Sequence, residues 1–329
     1  MKKLVFFNFI IITFILLFFE FFLRFFNIIE LQGFEKNTFF LQNKIIFHNP
    51  NILKIGMGKK IKTDKNGFRI PLENFEINEE FPGILILGDS VSFGVSVEEK
   101  KTFIGLLRKK IKKNFYNTSV AGHRLENYPI LLEKYHRQFP EIKDILIFLC
   151  LNDIVAKDGI VKKTNIDKAD LNKNFIYNIL KKDFFIKINF FLREKSAVFN
   201  IAKAIGTQNI KRHFYYMYPL YENMIYLKNY EQNLKKIIDY SNMNKLNTKF
   251  VLLPYKYQTK NNCISELMLP QNQINVLFEK LDYQLFDFSE EFCNKNNNNK
   301  LFLNFDPMHL SSNGHKFVSE LLIKKNIIN

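Results

Sequence analysis

Short apolar runs at residues 84–87, 115–120, 145–151, 250–253 and 284–288 alternate with longer, lysine-rich segments at 103–113, 125–139, 230–242 and 271–281, whose apolar residues recur at helical spacing. Runs this short and this apolar read as strands buried on both faces, and strands separated by helices build a parallel sheet covered on both sides. An α/β/α sandwich follows. Crossovers in such a sheet are right-handed, and ligands gather beyond the carboxyl ends of its strands. Residues 311–325 start with serines and place Phe317, Val318, Leu321 and Leu322 at helical spacing, so the chain is expected to end in a helix docked on the sheet. Residues 155–225 break the alternation. They are long and rich in aromatics, and read as an insertion that covers the site, rests on a membrane or packs against the sandwich.

Residues 4–26 form a nearly continuous apolar run, interrupted by Asn8, Glu20 and Arg24. That length suffices to span a bilayer, which takes about 20 residues at about 1.5 Å each. Glu20 and Arg24 stand four apart, so they can neutralise each other while the arginine reaches the interface. Lys2 and Lys3 precede the run and no small-x-small cleavage site follows, so it reads as an uncleaved anchor with its amino end in the cytoplasm, with a cleaved signal peptide, an interfacial helix and a buried helix as the alternatives. The expected organisation is an anchor over 1–30, a linker and extension over 31–79, with polar linker and turn at 56–67, and a catalytic domain over 80–329. The fold class is thus α/β: a three-layer sandwich with a central parallel sheet, flavodoxin-like, preceded by an N-terminal transmembrane helix.

The formal charge of +16, from 48 basic and 32 acidic residues, invites a nucleic-acid reading. The pattern argues against one, because the lysines are scattered through helices and no aromatic–basic module repeats. They solvate an outer face and suit anionic headgroups. Cys150, Cys263 and Cys293 lack CxxC spacing, so neither a zinc site nor a disulfide framework is indicated. Cys150 reads as a small core residue, and pairing of Cys263 with Cys293 in an oxidising compartment stays open. No cofactor motif is present, and His48, His136 and His213 support no metal claim.

Gly88-Asp89-Ser90 follows the run at 84–87, placing a serine at a glycine-containing turn where its oxygen can face the crevice and receive help from backbone N–H groups. Asn117-Thr118-Ser119-Val120-Ala121-Gly122 follows the second run, Cys150-Leu151-Asn152-Asp153 the third, and Asp306-Pro307-Met308-His309 precedes the last helix. A parallel sheet would gather all four at one edge. In this order the blocks resemble the SGNH (GDSL-like) hydrolases, over roughly residues 80–325, and Gly67-Phe68-Arg69 resembles a segment of membrane-attached members. The chain departs from that pattern at Cys150, where glycine is usual.

The resemblance implies Ser90 as nucleophile, His309 as general base and Asp306 as its orienting partner. It also implies an oxyanion hole from the N–H groups of Ser90 and Gly122 and the Asn152 amide, with no cofactor and no metal. The chemistry fits: a neutral hydroxyl needs a base whose pKa near 6.5 lets it take a proton and return it, and Asp306, one turn back, can fix the tautomer. His123 stands open between substrate contact and a surface or core histidine. His315 reads as a packing or capping residue, and Asp89 and Asp153 as acceptors that hold turns. The expected reaction is acyl transfer from an ester, with an O-acetyl group of an envelope polysaccharide or a lipid ester as substrate. Transfer to a sugar hydroxyl and an inactive envelope scaffold are the alternatives. The expected setting is a cell membrane, crossed once through residues 4–26, with the catalytic domain on the periplasmic or extracellular side.

Overall fold

The computed structural model describes residues 2–155, 175–180 and 182–328. A 24-residue helix, Lys2–Phe25, leads the chain, and none of its residues is buried. It is long and apolar enough to cross a membrane.

Residues expected to be linker are instead built into two small antiparallel sheets. Strands β1 (Phe39–Gln42) and β2 (Ile45–His48) form a hairpin, and β3 (Leu53–Gly56), β4 (Lys59–Thr63) and β5 (Arg69–Ile70) form a three-stranded sheet. Their turns supply the reason. Asn43 and Lys44, and likewise Met57 and Gly58, all have positive φ, the backbone that a two-residue hairpin turn demands because it matches the twist of its strands. Ile61 is buried on β4 while Lys60 and Lys62 face outward, so the lysines that suggested a linker are one face of a strand.

The central sheet holds β6 (Gly83–Leu87), β7 (Asn114–Asn117), β8 (Asp144–Leu149), β9 (Asn247–Leu252) and β10 (Leu285–Asp287), all parallel, in the order β10-β9-β8-β6-β7. Residues 84–87 and 145–149 are buried on both faces, each large side chain contributing about 1.5–3 kcal/mol of apolar burial. Helices Phe103–Arg108 and Ser312–Lys324 pack together, as do Tyr128–Gln138 and Met224–Met243. The helix expected over 103–113 ends at Arg108; Lys109, Lys110 and Lys112 are exposed and add no apolar turn to extend it.

Sheet order reverses at β6, with β7 on one side and β8 on the other, which opens a crevice beyond the carboxyl end of β6. Of the insertion expected at 155–225, residues 156–174 and 181 lie outside the described residues. The remainder contains helices Phe175–Leu180, Asp183–Lys195, Ala197–Gly206 and Asn209–Met217. Its aromatics divide: Phe214, Tyr215, Tyr216 and Tyr218 pack on the core, while Phe184, Phe190 and Phe191 are exposed.

Candidate active site

Ser90 lies three residues past β6, as the first residue of the helical turn Ser90–Phe93. Two features force the chain through this bend. A Cβ on Gly88 would stand 1.9 Å from Ser92 Oγ, so only glycine permits the close approach. Asp89 caps the turn, its Oδ1 accepting the Val91 N–H at 2.8 Å. Asn152, three residues past β8, donates its amide to Asp89 Oδ2 at 2.9 Å. Thus the serine and asparagine turns are tied together from adjacent strands.

Asp306 and His309 arrive on the loop before the last helix. The serine hydroxyl donates to His309 Nε2 at 2.8 Å, and His309 Nδ1 donates to Asp306 Oδ2 at 2.8 Å. Asp306 Oδ1 accepts the N–H groups of Met308 and His309 at 2.9 and 2.7 Å, which fixes the carboxylate. Burial alone would depress the imidazole, but the facing carboxylate outweighs it and holds His309 above its ordinary value. Burial would likewise raise Asp306, yet His309 and the two N–H groups hold it below the usual carboxylate range.

Gly122, in the loop after β7, has φ of 98°, a left-handed backbone that a side chain would strain. Among the described residues nothing accepts the N–H of Ser90 or of Gly122. Asn152 is held at both ends, by Asp89 and by the Tyr255 hydroxyl, which donates to its Oδ1 at 3.1 Å.

Cys150 has φ −128° and ψ 162°, extended backbone open to any residue, so the missing glycine costs nothing here. Its thiol is unpaired, buried and pushed well up by burial, a core group. Asp153 accepts the Tyr128 hydroxyl at 3.0 Å and the Cys150 N–H at 2.8 Å, and burial with Asp89 nearby pushes it well above the carboxylate range.

His123 is buried and its Nε2 donates to the Ile46 carbonyl at 2.7 Å, so it fastens β2 beside Gly122 as a core histidine. His315 Nδ1 accepts the Phe103 N–H at 3.3 Å, a packing role. Sequence reasoning passed over Tyr255, although it sits three residues past β9, where the same strand-end rule applies. The larger omission is the work of Arg69. Its buried guanidinium donates to the carbonyls of Phe93, Gly94 and Val97 at 2.5, 2.7 and 2.6 Å, stapling the loop behind Ser90; burial lowers it only to about 10, so it stays charged. Lys256 holds the opposite loop, donating to the Leu303 carbonyl at 2.8 Å.

Two clefts flank the 303–309 loop. One, of about 450 Å³, is lined by Met308 and His309 together with Arg193, Lys203, Arg212 and His213. The other, of about 530 Å³, touches Asp306 but not His309 and includes Glu30 and Lys59, which form an ion pair at 2.6 Å.

No family model matches the chain, and no curated protein does. Among solved structures, the psychrotrophic esterase EstA from Pseudoalteromonas sp. is 14% identical over 75% of this chain and 99% of its own, with a TM-score of 0.42. The acetyl xylan esterase AlAXEase is 13% identical over 74% and 98%, with a TM-score of 0.44. A lipase/acylhydrolase from Enterococcus faecalis is 9% identical over 74% and 95%, with a TM-score of 0.42. Likeness at this level leaves the chemistry to be read from the side chains themselves.

Proposed function

We propose that this chain is a membrane-anchored serine esterase of the SGNH type, on a flavodoxin-like sandwich. The observation that carries the reading is the continuous relay from Ser90 Oγ through His309 to Asp306, both links at 2.8 Å. In this reading Ser90 attacks an ester carbonyl as His309 takes its proton, and His309 then returns the proton to the departing alcohol. The carbonyl oxygen becomes an oxyanion held by the N–H groups of Ser90 and Gly122 and an amide hydrogen of Asn152. Water, activated by the same histidine, releases the acyl group.

Two observations support an exported setting. The helix Lys2–Phe25 would span about 36 Å at 1.5 Å per residue, and Cys263 is joined to Cys293, a bond that persists in oxidising compartments. The exposed Phe184, Ile188, Phe190 and Phe191 then rest on the bilayer beside the anchor. Substrates are acylated molecules of the envelope, O-acetylated polysaccharide foremost.

A fluorophosphonate probe tests the assignment. The wild-type protein should be labelled and Ser90→Ala should not, with esterase activity down by about a thousandfold or more. Equal labelling of both, or none of the folded wild type, rejects it. Adding a sugar acceptor to the assay separates release to water from transfer to a hydroxyl.

A further inference from the structure

The side chain of Asn152 has three of its hydrogen-bonding groups in view, and two are spent inside the protein. Asp89 Oδ2 accepts one amide hydrogen at 2.9 Å, while Asp89 Oδ1 takes the Val91 N–H. The amide nitrogen therefore faces Asp89, and Oδ1 faces the Tyr255 hydroxyl, which donates to it at 3.1 Å. Among the described residues no acceptor meets the second amide hydrogen.

Tyr255 is itself clamped. Its ring is fully buried and stacks on His213, with centroids 5.5 Å apart and planes at 19°. Its backbone N–H donates to Gln258 Oε1 at 2.9 Å, and the N–H of the next residue, Lys256, donates at 2.9 Å to the Pro307 carbonyl in the loop that carries His309. Burial pushes the phenol well above its ordinary value, so it stays a donor. A phenylalanine would fill the same space. The hydroxyl adds a bond, and among the described residues that bond lands on Asn152.

We infer that Tyr255 is a positioning residue for acyl transfer at Ser90: its hydroxyl fixes the Asn152 amide so that the unspent N–H meets the substrate oxyanion, and strengthens that N–H as a donor. The role rests on the esterase reading. A donor on the amide oxygen draws electron density through the conjugated C–N bond and leaves the amide hydrogens more positive, as in any chain of hydrogen bonds that polarise one another. The gain grows with the charge on the carbonyl oxygen, so it is felt in the transition state and hardly at all in the bound ester.

The test measures hydrolysis of para-nitrophenyl acetate by the full chain in neutral-detergent micelles. Tyr255→Phe keeps the ring and should lower kcat about tenfold, the worth of one hydrogen bond, with KM changed by less than about twofold. Asn152→Ala should lower kcat about a hundredfold or more. Adding Tyr255→Phe to it should cost nothing further, because the hydroxyl then has no amide to act on. Para-aminophenylalanine at position 255 restores a donor on the same ring and should recover most of the lost rate; it also carries the test if the Phe variant folds poorly. Wild-type kcat in Tyr255→Phe, a loss confined to KM, equal losses with and without Asn152, or no recovery with the amino group overturns the role while the esterase reading stands. No hydrolysis by the folded wild type rejects the esterase reading, and the role with it.

Discussion

The turn bearing Ser90 and the helical wall at 183–217 border the same active-site region, yet they are held in opposite ways. Around Ser90 the chain is fixed from within: Asp89, Asn152 and Tyr255 tie three strand ends together, and buried Arg69 fills three carbonyls of the following loop. The helical wall is fixed at its margin. Glu20 of the leading helix accepts the Ser196 hydroxyl and the N–H groups of Ala197 and Val198 at 2.9, 2.9 and 3.0 Å, capping helix Ala197–Gly206, and Arg24 donates to the Lys195 carbonyl. The Ser90 turn is built from buried, mutually satisfied groups, whereas the helical wall keeps exposed apolar side chains and half-buried cations. The first tolerates little change; the second can vary without disturbing the relay.

The sharpest challenge to that contrast is Arg69→Met. It leaves three loop carbonyls without their donor, and stability should fall by about 3 kcal/mol, read as a lower urea midpoint; an unchanged midpoint would mean the loop behind Ser90 stands without its staple. Next comes pH. In the proposed mechanism His309 must be neutral to accept the serine proton, and Asp306 holds its pKa above the ordinary 6.5, so the acid limb of kcat/KM should lie above pH 6.5 and drop about tenfold per unit below it. Stability runs the other way for the imidazole: the contribution of His309 is complete below its unfolded pKa and is lost as pH rises through the folded one, whereas that of Asp306, held low, is lost only as pH falls through the acid range. A limb centred below 6.5 would detach Asp306 from the base. Smallest is Glu20→Ala, which removes a helix cap worth about 1 kcal/mol. Hydrogen exchange should quicken over 196–206 and stay slow over 84–87; equal acceleration in both would erase the distinction between core-held and margin-held regions.

Much of this was legible in the residue pattern. Apolar runs ending in Gly88-Asp89-Ser90 and Cys150-Leu151-Asn152 identified strand ends because burial on both faces leaves no alternation to misread. The hairpins at 39–63 were hidden for the converse reason: strands such as Lys59–Thr63 bury one face only, and their lysines dominate the composition. Neither the burial of Arg69 nor the meeting of Arg193, Lys203 and Arg212 beside His309 can be read from spacing, since each depends on which surfaces the fold brings together.

In the proposed topology, Glu20 lies about 7.5 Å of helix rise before Phe25, and the wall of the cleft is bonded directly to it. No slack stalk intervenes, so the reactive centre rides at a fixed height over the lipid and samples its targets by drifting sideways with the bilayer. An enzyme mounted this way works at a set altitude: acyl groups farther out must be brought down to it.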